Sequence, residues 1–93
     1  MIVGSLRVRL LLRESRSLKD KRQVVRSLKD RLRRHFNVAV AELEYQEVWS
    51  RAIIGVVTLS TAEQHVEESL QLVLEDASRQ LGRMLVGHVV EMI

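Results

Sequence analysis

Cationic side chains recur between residues 17 and 34 with a spacing that suits the binding of phosphate groups. This segment holds eight Lys or Arg and only two Asp. Five of the eight follow one another at steps of three and four residues, and we call them the basic stripe: Lys19, Arg22, Arg26, Lys29 and Arg33. In a helix of about 100° and 1.5 Å per residue, they form a single row about 20 Å long. Such a row can neutralise several phosphates in succession, and Arg adds bidentate hydrogen bonds to phosphate oxygens.

The distribution of charge along the chain leaves two hypotheses for the basic stripe open. From Arg7 to His35 there are twelve Lys or Arg against three acids, whereas the rest of the chain has three basic residues against nine acids. In the first hypothesis the stripe binds phosphates of structured RNA or of the ribosome, helped by Arg16 and Lys21 at the start of the helix. In the second, the protein is an oligomeric interaction or ligand-sensing domain, and the stripe pairs with acids of the same chain or of a partner subunit. The acids available for this are Glu63, Glu67, Glu68, Glu75 and Asp76.

Other reactive side chains form no recognisable catalytic or metal-binding motif. The chain has no Cys, which excludes disulfides, thiolate metal ligands and a Cys nucleophile. Its three His, His35, His65 and His88, lack the spacing that directs two imidazoles to one ion. No phosphate-binding glycine loop or nucleophile elbow is present. We therefore expect no metal, no cofactor and no enzymatic activity, and an enzyme for an anionic substrate is a third hypothesis that would need a pocket.

Composition and the length of apolar runs indicate the cellular compartment of the protein. No apolar run approaches the roughly 18–20 residues that cross a bilayer, and the first residues do not form a secretory signal. The absence of Cys also suits a reducing compartment. We therefore expect a cytoplasmic protein. Scarce Asn with abundant Arg and Glu is typical of thermostable proteins.

Hydrophobic patterns predict four strands, near residues 2–12, 38–44, 51–60 and 83–93. The link between the second and third, QEVW, is too short for a helix and indicates a hairpin. Amphipathic helical periodicity fills the two remaining intervals. The order β-α-β-β-α-β predicts a single α+β domain over residues 1–93 with a ferredoxin-like fold. This fold is an antiparallel four-stranded sheet with both helices on one face.

The ends of the two helices carry sequence signals of their own. Ser17 is a favourable N-cap with Asp20 three residues later, and Thr61 with Gln64 repeats the pattern. Gly82 follows the last apolar residue of the second helix and should end it. The first helix therefore begins immediately before the basic stripe.

One face of such a sheet has no helices, and its residues predict self-association. Arg7 and Arg9 should point to this open face, but the third and fourth strands carry apolar residues on both sides. Because a large apolar patch is unusual on a small monomer, we expect a homo-oligomer, as a dimer or higher. The interface candidates are Ile53, Val57 and Leu59, with Tyr45 and Trp49 beside the hairpin. No aromatic residue lies on a central strand, so RNA contacts should be to backbone or shape rather than to stacked bases.

The segments SLKDKRQVVRSLKDRLRRHFNVAVAE and WSRAIIGVV resemble the small bacterial YlxP-like family of unknown function. The resemblance covers nearly the whole chain and is densest from Ser17 to Glu42. It implies a ferredoxin-like fold, in agreement with the pattern of elements. Genes of this family commonly lie beside those for translation initiation and ribosome-binding factors, which implies a role linked to RNA or the ribosome. The resemblance implies no reaction and no catalytic residue.

Overall fold

The elements of the computed structural model, which describes residues 1–93, follow the predicted order. They are β1 (Ile2–Leu11), α1 (Leu18–His35), β2 (Ala39–Glu44), β3 (Arg51–Ser60), α2 (Glu63–Leu81), a 3-10 turn (Gly82–Met84) and β4 (Leu85–Met92). The four strands form one antiparallel sheet in the order β2-β3-β1-β4. The predicted β-α-β-β-α-β arrangement is thus confirmed. Neither helix is long and apolar enough to cross a membrane.

The two helices begin differently, although their sequences suggest the same cap. The amide of Asp20 donates to Ser17 Oγ over 3.1 Å, and Asp20 Oδ2 accepts from the amide of Arg16 over 2.9 Å. The predicted cap of α1 is therefore confirmed. The predicted cap of α2 is wrong, because Ala62 is the N-cap and no side chain caps it. Gln64 donates to Glu68 instead, over 2.9 Å.

A single hydrophobic core fills the space between the helices and one face of the sheet. Its members alternate along the strands and recur at helical spacing along both helices, as the sequence pattern predicts. Burial of each large apolar side chain contributes about 1.5–3 kcal/mol. The most deeply buried are Leu6, Leu28, Leu32, Ile54, Leu70, Val8, Val56, Val66 and Val73. The core fixes α1 against the sheet and leaves the outer surface of this helix to solvent.

The opposite face of the sheet is open, and its composition is mixed. Arg7 lies opposite Gly55 and Arg9 opposite Ile53, and both arginines are exposed, as predicted. Among the interface candidates, Val57 is 40% and Leu59 is 59% exposed. Ile53 is half-buried, and Tyr45 and Trp49 are exposed in the connection between β2 and β3. Self-association through this face stays a prediction.

Candidate nucleic-acid interface

The basic stripe lies on the flank of α1 that faces away from α2. On the other flank, Arg31 bonds to Asp76 and Ser27 accepts from Gln80, so α2 must lie there. At about 100° per residue, the stripe is on the opposite side of the helix axis from these contacts. Arg33 Nη2 donates to the carbonyl of Val40 in β2 over 2.8 Å. The stripe therefore runs along the β2 side of the molecule.

Most of the stripe has no partner within the chain. Lys19, Arg22 and Arg26 are exposed and Lys29 is half-buried. None of these four forms an ion pair, because the ion pairs of the chain involve other cations. Asp30 lies one turn after Arg26 without pairing with it. The four cations thus form a positive surface without an ion-pair partner in the chain.

Lys21 does not belong to this surface, and the prediction that it helps to bind RNA is wrong. Its side chain is fully buried, and its Nζ lies 2.8 Å from Glu42 Oε2. The ammonium also donates to the carbonyl of Tyr45 and, over 3.3 and 3.2 Å, to those of Gln46 and Arg51. Glu42 Oε2 is buried without another hydrogen-bond donor, so this ion pair is its one compensation. Lys21 ties the start of α1 to the connection between β2 and β3.

The connection that Lys21 holds contains an unusual backbone conformation. Tyr45 is the one residue other than glycine with a positive φ, at 66°. This left-handed region is unfavourable for most side chains, so it persists where neighbouring contacts impose it. The contact from Lys21 to the Tyr45 carbonyl is such a constraint. It also fixes the first turn of α1, and with it the start of the basic stripe, against β2.

The acid of α2 that reaches α1 pairs with Arg31, which is outside the stripe. Asp76 accepts from Arg31 Nε over 2.8 Å and from Nη2 over 3.0 Å, and Arg79 lies 3.5 Å away. The hydrogen bonds from Arg31 hold the pKa of Asp76 below its usual value, although burial acts in the opposite direction. The same pair raises the pKa of Arg31. Within one chain, the hypothesis that α2 neutralises the stripe is therefore wrong, while pairing with a partner subunit stays a hypothesis.

The N-terminal end of α1 adds one more exposed cation and a groove. Arg16 is exposed immediately before the helix. Beside it lies an open groove of about 650 Å³ between the end of β1 and the end of α2, lined in part by Arg13, Glu14 and Asp20. Arg13 donates across this groove to the carbonyl of Arg83 over 3.2 Å. No group of three or more His, Asp or Glu side chains comes together to hold a metal ion.

Comparison with known proteins places these features in a family without a described activity. A family model described as "Protein of unknown function (DUF503)" matches residues 3–87. The chain is 32% identical over 73 residues to "Uncharacterized protein YlxP" of Bacillus subtilis (strain 168). The matched residues make up 78% of this chain and 79% of that protein. It is also similar to the NMR structure of a de novo designed protein with a ferredoxin fold. There the TM-score is 0.56 and the identity 10%, over 100% of this chain and 84% of the designed one, so the likeness concerns the fold alone. The chain is thus a member of the DUF503 family, with a ferredoxin-like fold.

Proposed function

We propose that this protein binds the phosphate backbone of structured RNA, such as ribosomal RNA, through the basic stripe with help from Arg16. The observation that supports this best is a row of four cations without an acidic partner in the chain: the exposed Lys19, Arg22 and Arg26 and the half-buried Lys29. Cations one turn apart on a helix repel each other by a few tenths of a kcal/mol per pair. An approaching row of phosphates removes this repulsion and releases the counterions of the RNA.

The proposed contacts are to phosphates rather than to bases. The three aromatic residues of the chain are Phe36, which packs against the core, and Tyr45 and Trp49, which lie at the connection between β2 and β3. None of them lies on a central strand, where related folds stack bases. Binding should therefore depend steeply on salt and only weakly on sequence. In this proposal the protein is a non-enzymatic cytoplasmic accessory factor of the ribosome, as the resemblance to the YlxP-like family also favours.

A second candidate function has a specific observation in its favour. Four acids of α2, Glu63, Glu67, Glu68 and Glu75, are exposed and pair with no cation of the chain. A second copy could bring this acidic surface against the basic stripe, and the stripe would then be an oligomer interface. The two functions differ in what a charge reversal of the stripe does first. In the RNA proposal it abolishes retention of RNA, whereas in the oligomer alternative it separates the subunits.

The test is a triple variant, Arg22→Glu, Arg26→Glu and Lys29→Glu. Arg33 is left unchanged because its guanidinium is bonded to β2, so its removal would alter the fold as well as the surface. The matched control reverses three exposed cations outside the stripe that form no ion pair: Arg34→Glu, Arg51→Glu and Arg83→Glu. Retention of a ribosomal RNA fragment is measured by filter binding, and the mass of each variant by light scattering.

The proposed function predicts that the stripe variant loses RNA retention with its mass unchanged, while the control variant loses much less. Equal losses in the two variants would show that net charge alone attracts the RNA. If the stripe variant becomes smaller in solution, the oligomer alternative is correct. If the wild-type protein retains no RNA even at low salt, the proposed function is wrong.

A further inference from the structure

The two edges of the sheet are protected to different degrees. At the β2 edge, Arg33 binds the carbonyl of Val40, and the register with β3 shifts between Glu42 and Glu44. The β4 edge, Leu85–Met92, has no Lys, Arg or Pro, and no side chain bonds to its backbone. Its register with β1 shifts once, between Arg9 and Leu10, and the stretch from Gly87 to Met92 beyond this shift pairs regularly. Natural proteins usually protect an exposed edge with such charges, prolines or irregularities. The β4 edge is therefore available for pairing with another strand.

The register of β4 shows which of its backbone groups face outward. The amide of Ile93 donates to the carbonyl of Val3 over 2.8 Å, and Arg7 lies opposite Val89. Because bonded pairs alternate along an antiparallel ladder, Val89 directs its backbone groups inward to β1. His88 and Val90 therefore direct their N–H and C=O groups outward. Both residues are also exposed, so an added strand can reach them.

Two opposite charges without partners lie on the open face beside this edge. The guanidinium of Arg9 lies across Gly87, where it occupies the space that a side chain would fill. Arg9 forms no ion pair in the chain. Glu91 lies four residues further along β4, on the same face as Gly87, and is exposed and unpaired. In a strand added to β4, the residue opposite Gly87 would lie beside the Arg9 guanidinium.

We propose that β4 pairs antiparallel with β4 of a second copy of this chain, about a two-fold axis at Val89. In this register Gly87 lies opposite Glu91 of the partner subunit, so Arg9 and that carboxylate form an ion pair, which the symmetry repeats. His88 exchanges backbone hydrogen bonds with Val90 of the partner subunit, as the outward direction of these groups requires. Centring the pairing on His88 or on Val90 also satisfies the backbone, but it places Val89 opposite Gly87 or Glu91 and separates the charges. The unpartnered Arg9 and Glu91 therefore select the axis at Val89.

This dimer is compatible with the proposed function but does not depend on it. β4 lies at the opposite edge of the sheet from β2 and the basic stripe. Pairing through β4 would make one eight-stranded sheet with a stripe at each end, roughly 35 Å apart at about 4.8 Å per strand. It also leaves the open face uncovered, so it is a different interface from the one that the apolar residues of this face predict.

A single introduced cysteine tests the register directly, because the natural chain has none. In the proposed dimer, Val89 lies opposite Val89 of the partner subunit. The two form a non-hydrogen-bonded pair with a Cα–Cα distance of about 4.5 Å. A disulfide forms at Cα distances of about 4.4–6.8 Å. Val89→Cys should therefore cross-link fully under mild oxidation, whereas Leu59→Cys, on the open face, should not. Cross-linking of Leu59→Cys alone would overturn the proposal in favour of an open-face dimer.

A charge exchange tests the ion pair independently of the cysteine. Arg9→Glu and Glu91→Arg should each weaken the dimer about tenfold, because each places like charges together at both symmetric contacts. The double variant Arg9→Glu with Glu91→Arg should restore the wild-type dimerisation constant, measured by sedimentation equilibrium. Restoration cannot be attributed to misfolding of the single variants. A wild-type protein that is monomeric at all concentrations, or a double variant weaker than both single variants, would overturn the proposal.

Discussion

Two sets of cations on the same helix have opposite relations to the rest of the molecule. On the inner side and the α2 flank of α1, Lys21 and Arg31 each meet an acid, Glu42 and Asp76. Along the outer row, four cations meet none: Lys19, Arg22, Arg26 and Lys29. The positive charge of α1 is therefore not a single functional signal. Part of it holds the fold together, and the part without partners carries the proposed interface.

The energetic consequences of the two sets should differ as strongly as their contacts. Removal of one partner of a buried ion pair leaves an uncompensated charge in a medium that solvates it poorly. Removal of an exposed cation leaves water in its place, and such substitutions usually change stability by no more than about 0.5 kcal/mol. Unfolding measurements can therefore separate architectural from functional cations before any ligand is known.

The largest effect on stability is expected for Lys21→Met. This change leaves Glu42 buried without its counter-charge and deprives three backbone carbonyls of a donor. The free energy of unfolding, from urea denaturation, should fall by about 3–5 kcal/mol. In the double variant with Glu42→Gln, the loss should be smaller than the sum of the two single losses. A loss below about 1 kcal/mol for Lys21→Met would contradict the architectural role.

A smaller loss, with a characteristic dependence on pH, is expected for Asp76→Asn. The bidentate bond to Arg31 is partly exposed, so the loss at pH 7 should be about 1–2 kcal/mol. Because the folded state lowers the pKa of Asp76, its contribution is complete above the unfolded pKa of about 3.9 and is lost as the pH falls through the folded value. Wild-type stability should therefore decline below about pH 4 more steeply than that of the variant. Parallel curves from pH 7 to 2 would show that this carboxylate makes no such contribution.

Arg33 lies between the two sets, which makes it the sharpest single-residue test of the distinction. It belongs to the basic stripe, but it also donates to the carbonyl of Val40. Arg33→Gln should cost about 1 kcal/mol of stability and also weaken RNA binding, whereas Arg22→Gln should weaken RNA binding alone. Urea denaturation and filter binding of both variants check this. The distinction fails if the two variants lose equal stability.

Sequence patterns predicted the elements well because strand and helix periods are local properties. The predicted cap at Thr61 shows where such patterns fail. Thr61 and Gln64 have the right types and spacing for a cap, but the helix begins after Ala62. The position of Lys21 favoured a buried ion pair more than the predicted role in RNA binding. It lies on the apolar side of α1, and Glu42 is in phase with the buried Val40, so two opposite charges both pointed inward. Their pairing depends on the position of α1 over the sheet, which periodicity does not specify.

Periodicity likewise could not predict that most of the basic stripe forms no ion pair within the chain. Acids of α2 were abundant enough to neutralise it, and only the packing of the helices shows that α2 lies on the other flank of α1. The contact of Arg33 with Val40 likewise depends on where the helix crosses the edge strand. Long side chains that bond to the backbone of another element leave no pattern in the sequence.

The salt dependence of RNA affinity is the sharpest test of whether the basic stripe binds phosphates. The slope of log K against log salt concentration counts the phosphates that a protein neutralises, at about 0.7–0.9 per contact. For a ribosomal RNA duplex, the wild-type slope should be about −4. In the variant Arg22→Glu, Arg26→Glu, Lys29→Glu it should be shallower by about 2–2.7, with the urea midpoint unchanged. An unchanged slope in a folded variant would show that the basic stripe does not bind the phosphates.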